Sequence, residues 1–421
     1  MPKSGPSAGV TTARNGLAAY RTAVTALTVT AVAFLLVVPY ELIVGRSIPP
    51  VDFYVYRYGA ESAYAGNDLY LSNVFGPGIG ADGLPFTYSP FAALVLWPAT
   101  LFTAKTAYLL WNIVGLVALG YVLNKYVRGP WPLRLLWLVL ALIAARVSIV
   151  LYHHLLFGQI NLVLMALCIA DVFREPRSRL GRWLPRGVLI GIAGAIKFTP
   201  MLFLIFFLVS RRWRDAAITL ASFGAATLVA FAVFPRSSRT FFTNTLWHLS
   251  DKVELDGFFT TSGNNSLTGA FAAIAPWGRT VGTLLAVLVT LVCLWAATQV
   301  DRRLGLGPAA LVVGLTASIA SPVSWIHHWV YLLPALVYFV FYGDTLRRWF
   351  AVLAAAFLIF TQGPTTGDRF LDTGNSLLWL PGIIARESLL LLALSSIVLL
   401  AVSQPRTAVL PPWSADGRHS R

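Results

Sequence analysis

The sequence predicts an all-α polytopic membrane protein of roughly ten to twelve transmembrane helices. Three observations lead there: a 57% apolar share against 12% charged residues, apolar runs recurring along the whole chain, and basic residues gathered in alternate connections. The charged share is about half that of an ordinary soluble domain, too little to cover the surface of a water-soluble globule. The same composition excludes disordered, collagen-like and disulfide-rich classes. Cys168 and Cys293 are the only cysteines, and within apolar runs they read as small buried hydrophobes. The formal charge of +15 fits nucleic-acid binding, acidic lipid contact or a topology signal until its location is known.

Taken in order, residues 1–21 are a polar tail with Lys3, Arg14 and Arg21, followed by the apolar run Thr22–Val44. At 1.5 Å per residue that run crosses a hydrocarbon core of about 30 Å. It has no small-residue cleavage site after a short core, so it reads as a first membrane helix and not as a removed signal peptide. Further runs follow at Tyr108–Leu123, Pro132–Leu151, Leu156–Val172, Gly187–Val209, Ala216–Phe234, Thr280–Ala297, Pro308–Pro322, Trp329–Tyr342, Trp349–Phe360 and Glu387–Val402, with an additional short element near Pro90–Thr103. Residues 403–421 form a second polar tail.

Because cytoplasmic loops retain Lys and Arg, the basic groups at the N-terminus, 125–134, 174–186, 211–214, 302–303, 347–348 and the C-terminal tail put both termini inside. With Asp171, Glu175, Asp215, Asp301, Asp344 and Asp416 on that side, the whole +15 excess is cytoplasmic and the remainder is neutral. The charge is therefore a topology signal, and no nucleic-acid partner is expected. One interval breaks the alternation, since Arg186 and Arg211 both fall inside. Between them Pro200 removes a helix hydrogen-bond donor, so two half-helices or a re-entrant hairpin are expected, lining a polar cavity.

The outer face then receives the long connections at about 45–89, 235–279 and 361–379, read as loops. The first two are aromatic, with Tyr54, Tyr56, Tyr64 and Tyr70 in one and Phe241, Trp247, Phe258 and Phe259 in the other. An interfacial belt accounts for such rings as readily as a binding site does. No internal repeat suggests paired transporter halves.

Asp52 follows the first helix by a few residues, which sets a carboxylate at the outer membrane boundary, within reach of a lipid-borne reactant and of water. A loop acid or a partner for Arg57 is the plainer reading. Other polar residues lie within or beside apolar runs: His153, His154, Gln159, Asn161, Lys197, and the outer turn Ser321–Trp329 with His327 and His328. Such residues are costly in lipid and face a cavity or one another. Adjacent histidines point about 100° apart on a helix and no carboxylate follows at metal-ligand spacing, so no metal site is expected. Gly76-Pro77-Gly78-Ile79-Gly80 has no βαβ context and reads as flexible loop; no P-loop, GxSxG elbow or Asp-x-Asp pair is present. An enzyme here takes its activated substrate from the membrane, without a cofactor.

Asp52, Leu84–Pro90, Phe157-Gly158-Gln159-Ile160-Asn161-Leu162, Lys197-Phe198-Thr199-Pro200 and Ser324-Trp325-Ile326-His327-His328 together resemble glycosyltransferase family 87, in order and spacing, over about residues 22–402. The resemblance implies the multi-helix GT-C fold and a polyprenyl-phosphate-mannose-dependent α-1,2-mannosyltransferase, most like those that extend phosphatidylinositol mannosides. The implied partners are a polyprenyl-phosphate-mannose donor, a phosphatidylinositol mannoside acceptor and the surrounding membrane lipids. Asp52 takes the place of the family's catalytic aspartate, one base being enough for a single displacement that inverts a β-mannosyl phosphate. Arg57 and Lys197 are candidates for the donor phosphate, and His327 and His328 for the same charge or for orienting Asp52. Tyr54, Tyr56, Tyr88, Gln159, Asn161 and Trp325 are candidates for sugar or acceptor contact. Branching of lipomannan or lipoarabinomannan, transfer from a prenyl-phosphate-arabinose, and transport or flipping of a lipid-linked sugar remain the alternatives.

Overall fold

The computed structural model describes residues 8–43, 48–175, 178–249, 252, 260–275 and 277–404. The basic residues Lys3, Arg406, Arg418 and Arg421, and the rings of Phe258 and Phe259, lie outside them. Among the described residues the chain is helical, and its only β pairing is two isolated antiparallel bridges, Val74 with Leu84 and Asn264 with Trp325. The helices in order are α1 (Ala8–Ile43), α2 (Val51–Tyr64), α3 (Pro90–Leu96), α4 (Ala104–Tyr126), α5 (Trp131–Val147), α6 (Ile149–Phe157), α7 (Asn161–Val172), α8 (Arg179–Trp183), α9 (Val188–Ile196) and α10 (Leu202–Val209). They continue with α11 (Trp213–Val233), α12 (Pro235–Thr243), α13 (Leu267–Ala272), α14 (Gly278–Leu304), α15 (Leu306–Ala320), α16 (Leu332–Tyr342), α17 (Thr345–Phe360), α18 (Gly363–Asp372), α19 (Ser376–Arg386) and α20 (Ser388–Ala401).

Several of these helices are apolar enough for a polytopic membrane protein. Four described helices are long and apolar enough to cross alone, or seven if each of three bent pairs makes one span. That is fewer than the apolar runs suggest, because several runs are broken. Pro132–Leu151 bends by 72° at Ser148, whose hydroxyl caps α6 by accepting from the Leu151 N–H. Trp329–Tyr342 begins inside a 3-10 turn, Ile326–Tyr331. All three outer connections read as loops are partly helical: α2 lies in the first, α12 and α13 in the second, and α18 with the start of α19 in the third. The N-terminal helix also starts at Ala8, well inside the stretch read as a tail.

The Gly187–Val209 run is broken as expected, at Lys197, and the contacts of its two halves give the path. Gly187 meets Asp215 and Thr219 near the start of α11, Gly191 meets Thr219 and Ser222, and Phe198 stacks edge-on against Phe223, farther along. The chain then returns through α10 to Arg212, which immediately precedes α11. Both ends of the segment thus lie at one end of α11, and its turn lies about midway along. The first half depends on Gly187, Gly191 and Gly194, since a Cβ at Gly191 would stand 2.5 Å from the Thr219 carbonyl oxygen. Small residues at this spacing let two helix backbones touch.

Ion pairs mark that end of the bundle. Asp171 pairs with Arg174 at 2.8 Å and accepts from the Gly187 and Ile190 N–H groups at the start of α9. Arg186 meets Asp215 at 3.5 Å, and Arg212 forks onto both carboxylate oxygens of Asp301. Each of these pairs joins residues that the charge pattern assigns to one side. Arg57 with Glu61 and Arg386 with Asp368 do so for the other. From the Asp171 end, α7 and α9 each reach the middle of the molecule, where their polar ends meet.

Removing one partner of a buried pair strands the other charge, whereas replacing both is far less costly. Asp301→Leu is therefore expected to destabilise the protein by about 3 kcal/mol, read as a lower unfolding midpoint in detergent, and Arg212→Met with Asp301→Leu to recover most of that loss.

Candidate active site

Five sequence segments converge where the helices break. Asp52 and Tyr56 are one turn apart on α2 and so share a face. An acidic residue in the first turn also suits the positive end of the helix dipole. The Asp52 Oδ2 accepts from Gln159 Nε2 at 2.6 Å. Gln159 Oε1 accepts from Tyr56 at 3.0 Å and Tyr88 at 3.3 Å, and the two tyrosine hydroxyls lie 2.7 Å apart. Tyr88 is set by the proline-bounded entry to α3, where Ser89 donates to the Ala195 carbonyl.

The turn between α6 and α7 places Gln159. Gly158 ends α6 at φ 68°, where its N–H bonds to Leu155 O, and the Gln159 N–H bonds to His154 O. Trp111 donates to the Gly158 carbonyl at 2.8 Å. His154 is buried and structural, its Nε2 accepting from the Leu162 N–H at the start of α7. Asn161 donates to Gln159 Oε1 at 3.4 Å and to the His327 carbonyl at 3.2 Å, and its Oδ1 accepts from Lys197 Nζ at 3.0 Å. Lys197 also lies 3.4 Å from His328 Nε2 and 5.3 Å above the Tyr88 ring. A continuous polar relay therefore runs from Asp52 through Gln159 and Asn161 to Lys197 and His328.

Beside this relay is a cleft open to one side. Asn161, Lys197, Thr199, Ser324 and His328 form its polar wall, and Leu164, Met165, Phe203 and Tyr331 its apolar one. Asp52 is half-buried on the far side of Gln159. Burial raises its carboxyl to about 6, against the lowering effects of the Gln159 hydrogen bond and the Lys197 charge. Burial and the Asp52 charge also hold the Tyr56 and Tyr88 hydroxyls above the ordinary phenol range, so both stay protonated donors.

Other sequence candidates stand apart from the relay. Arg57 is turned toward Glu61, at 2.6 Å, and the carbonyls of Thr100 and Phe102. Tyr54 and Tyr58 take the opposite face of α2 and pack under Gly78 and Gly76, so the glycine stretch read as flexible is a close-fitting cover. His327 is buried against Phe157, leaving His328 as the histidine at the cleft. Trp325 packs over Gly263. Among the described residues no group of three or more His, Cys, Asp or Glu is placed to hold a metal.

Sequence reading missed Asn264, Asn265 and Ser266, which clamp the turn that carries His328. Asn264 Oδ1 accepts from the Ser324 N–H at 2.9 Å, the Asn265 N–H donates to Ser324 O at 2.9 Å, and Ser266 Oγ donates to Pro322 O at 2.7 Å. Consecutive amide side chains in an aromatic outer loop were the available signal.

The family model for glycosyltransferase family 87 matches residues 86–322. The chain is 34% identical, over 68% of its length and 69% of the relative's, to a polyprenol-phosphate-mannose-dependent alpha-(1-2)-phosphatidylinositol mannoside mannosyltransferase of Mycobacterium tuberculosis. It is 33% identical to a Mycolicibacterium smegmatis protein of the same description, over 76% of both chains. A second protein of that organism, described as acting on phosphatidylinositol pentamannoside, is 30% identical over 68% of each. No solved structure matches.

Gly158 is both left-handed and enclosed, as a Cβ there would lie 2.6 Å from that of Phe53, next to Asp52. Gly158→Ala is expected to cost at least about 1–2 kcal/mol through the backbone alone, measured as a lower unfolding midpoint.

Proposed function

The chain belongs to glycosyltransferase family 87, and from that premise we propose that it transfers mannose from polyprenyl-phosphate-mannose to a phosphatidylinositol mannoside, forming an α-1,2 linkage with inversion. The observation that carries this reading is the relay joining one acid, Asp52, to two cationic or ionisable groups, Lys197 and His328, at the edge of a half-apolar cleft. The GT-C arrangement is part of the proposal, with residues 22–402 as catalytic domain and with both tails cytoplasmic.

In this reading Asp52 takes the proton from the acceptor hydroxyl as that oxygen attacks the anomeric carbon, and the bond from that carbon to the phosphate oxygen breaks on the opposite face. A raised carboxyl is a stronger base than an ordinary one, and it is still ionised at neutral pH. Lys197 Nζ and a His328 N–H meet the charge that builds on the departing phosphate. The apolar wall of Leu164, Met165 and Phe203 suits the first isoprenoid units of the same donor. Tyr56, Tyr88 and the Asn161 amide, which belong to the hydrogen-bonded relay between Asp52 and Lys197, are the hydroxyl and amide partners for sugars. Arg57, held by Glu61, acts on the fold of the outer helix, and any role at the phosphate requires it to leave that pair.

Membranes carrying the protein, supplied with labelled polyprenyl-phosphate-mannose and phosphatidylinositol tetramannoside, are expected to incorporate mannose. Asp52→Asn is expected to lower the rate by about 10²–10⁴-fold. Equal rates in wild type and variant reject the base assignment, and transfer of labelled arabinose in place of mannose rejects the donor. The rate should fall as pH drops through about 6 and protonates Asp52. Gln159→Leu removes a bond that lowers the carboxyl's pKa, so this acid limb should move to higher pH; an unmoved limb assigns it to another group. For topology, Ser62→Cys should react with an impermeant thiol reagent from outside and Ser178→Cys only after permeabilisation.

A further inference from the structure

Between the apolar helices α17 and α20 the chain makes a hairpin. It bends by 64° on leaving α17 for α18, reverses through Thr373 and Gly374, and bends by 59° between α19 and α20. The two hairpin helices are in backbone contact, since a Cβ on Gly367 would stand 2.3 Å from the Arg386 nitrogen. Their outer faces differ. α18 exposes Arg369 and Asp372, whereas α19 exposes Leu377, Leu380 and Ile384 at helical spacing, with Trp379 beside them. Leu377 is 83% exposed.

The occupant of this stripe follows from its neighbours. Both flanking helices present apolar side chains outward, Leu353 and Phe360 on α17 and Leu391 and Val398 on α20. The stripe on α19 continues that lipid-facing surface around two sharp bends. At 11 residues, α19 is about 16 Å long, half a hydrocarbon core. Its end carries Arg386, which reaches Asp368 and Glu387 at 3.6 Å and donates to the Thr260 carbonyl. A helix of this length, with an ion cluster at one end, an apolar stripe on one face and an exposed tryptophan, matches the membrane–water boundary.

We infer that residues 363–386 form an interfacial hairpin that lays the Leu377, Leu380 and Ile384 stripe into the outer headgroup boundary, neither crossing nor dipping through the bilayer. Arg386 fastens it to Thr260, four residues before the Asn264 that, with Ser266, clamps the His328 turn. The hairpin is thereby tied to the segment that holds the Ser324 and His328 side of the cleft. The path of the chain stands whether or not mannose is the transferred sugar.

The test places single spin labels at Leu377→Cys, Leu380→Cys and Ile384→Cys, and at Arg369→Cys and Asp372→Cys, in full-length protein with Cys168 and Cys293 replaced by Ala. The variants are reconstituted in phosphatidylcholine–phosphatidylglycerol vesicles, and depth is read from oxygen against water-soluble nickel relaxation. The labelled side chains on the hairpin are surface residues, so substitution there removes no core packing. The expected result is one common depth for the three stripe positions, about 5–10 Å into the boundary, with Arg369 and Asp372 positions in water. A steady change of about 10 Å in depth from 377 to 384, the 1.5 Å rise per residue of a helix along the membrane normal, overturns the inference. So does water exposure of all three stripe positions. Because the readout is position, a protein that transfers no mannose still decides the question.

Discussion

The Gln159 side chain can serve its neighbours in only one orientation. Asp52, when ionised, accepts and cannot donate, so the amide NH₂ must face it, and the amide oxygen is then left for the hydroxyls of Tyr56 and Tyr88. That single constraint ties the outer helix α2, the entry to α3 and the turn between α6 and α7 into one unit. Everything else at the site is placed relative to it. Asn161 extends the chain of contacts to Lys197 and to the His327 backbone, and the Asn264 loop fixes the same turn from outside.

A membrane protein can present such a network only where helices stop. Unbroken helices satisfy their own backbone and carry apolar side chains into lipid. Here α6, α9 and α15 all end close to the relay, and the freed backbone groups find partners at once: Gly158 O with Trp111, Ala195 O with Ser89, His328 O with Ser318. The half-helix α9 is held at its other end by Asp171, whose carboxylate caps it, and Lys197 stands where α9 terminates, at the negative end of its dipole. The ionic layer at one end of the bundle and the cleft in the middle are thus the two ends of the same short helix.

The broken segment around Pro200 was legible because charge on both flanks left no other topology. Gln159, Asn161, Lys197 and the histidines were legible because polar residues within or beside apolar runs demand company, whereas the five motifs as a set were legible through their resemblance to the family. The bends at Ser148 and Glu387 were not, since hydropathy sums apolar residues without regard to direction. Helix α2 could have been read from Phe53, Tyr56, Ala60 and Ala63, which recur three and four residues apart; its aromatic richness drew attention instead to a belt. Arg57 illustrates the limit of charge type as a guide. It lies five residues from Asp52 in sequence, but its place on the helix turns it toward Glu61, and no composition argument could reveal that.

The spacing of acid and cation has a chemical consequence. A direct ion pair between Asp52 and Lys197 would hold the carboxyl well below its ordinary pKa and neutralise the ammonium, weakening one as a base and the other as a phosphate partner. Two neutral amides between them prevent this. Gln159 and Asn161 pass hydrogen bonds along the relay without passing a full charge, so burial outweighs attraction at Asp52 and its carboxyl rises to about 6. Lys197 likewise keeps donors for an anion, since its partners here are an amide oxygen and a histidine nitrogen and neither carries a negative charge. A site that must remove a proton at one end and accept a leaving phosphate at the other gains from keeping the two apart until a substrate bridges them.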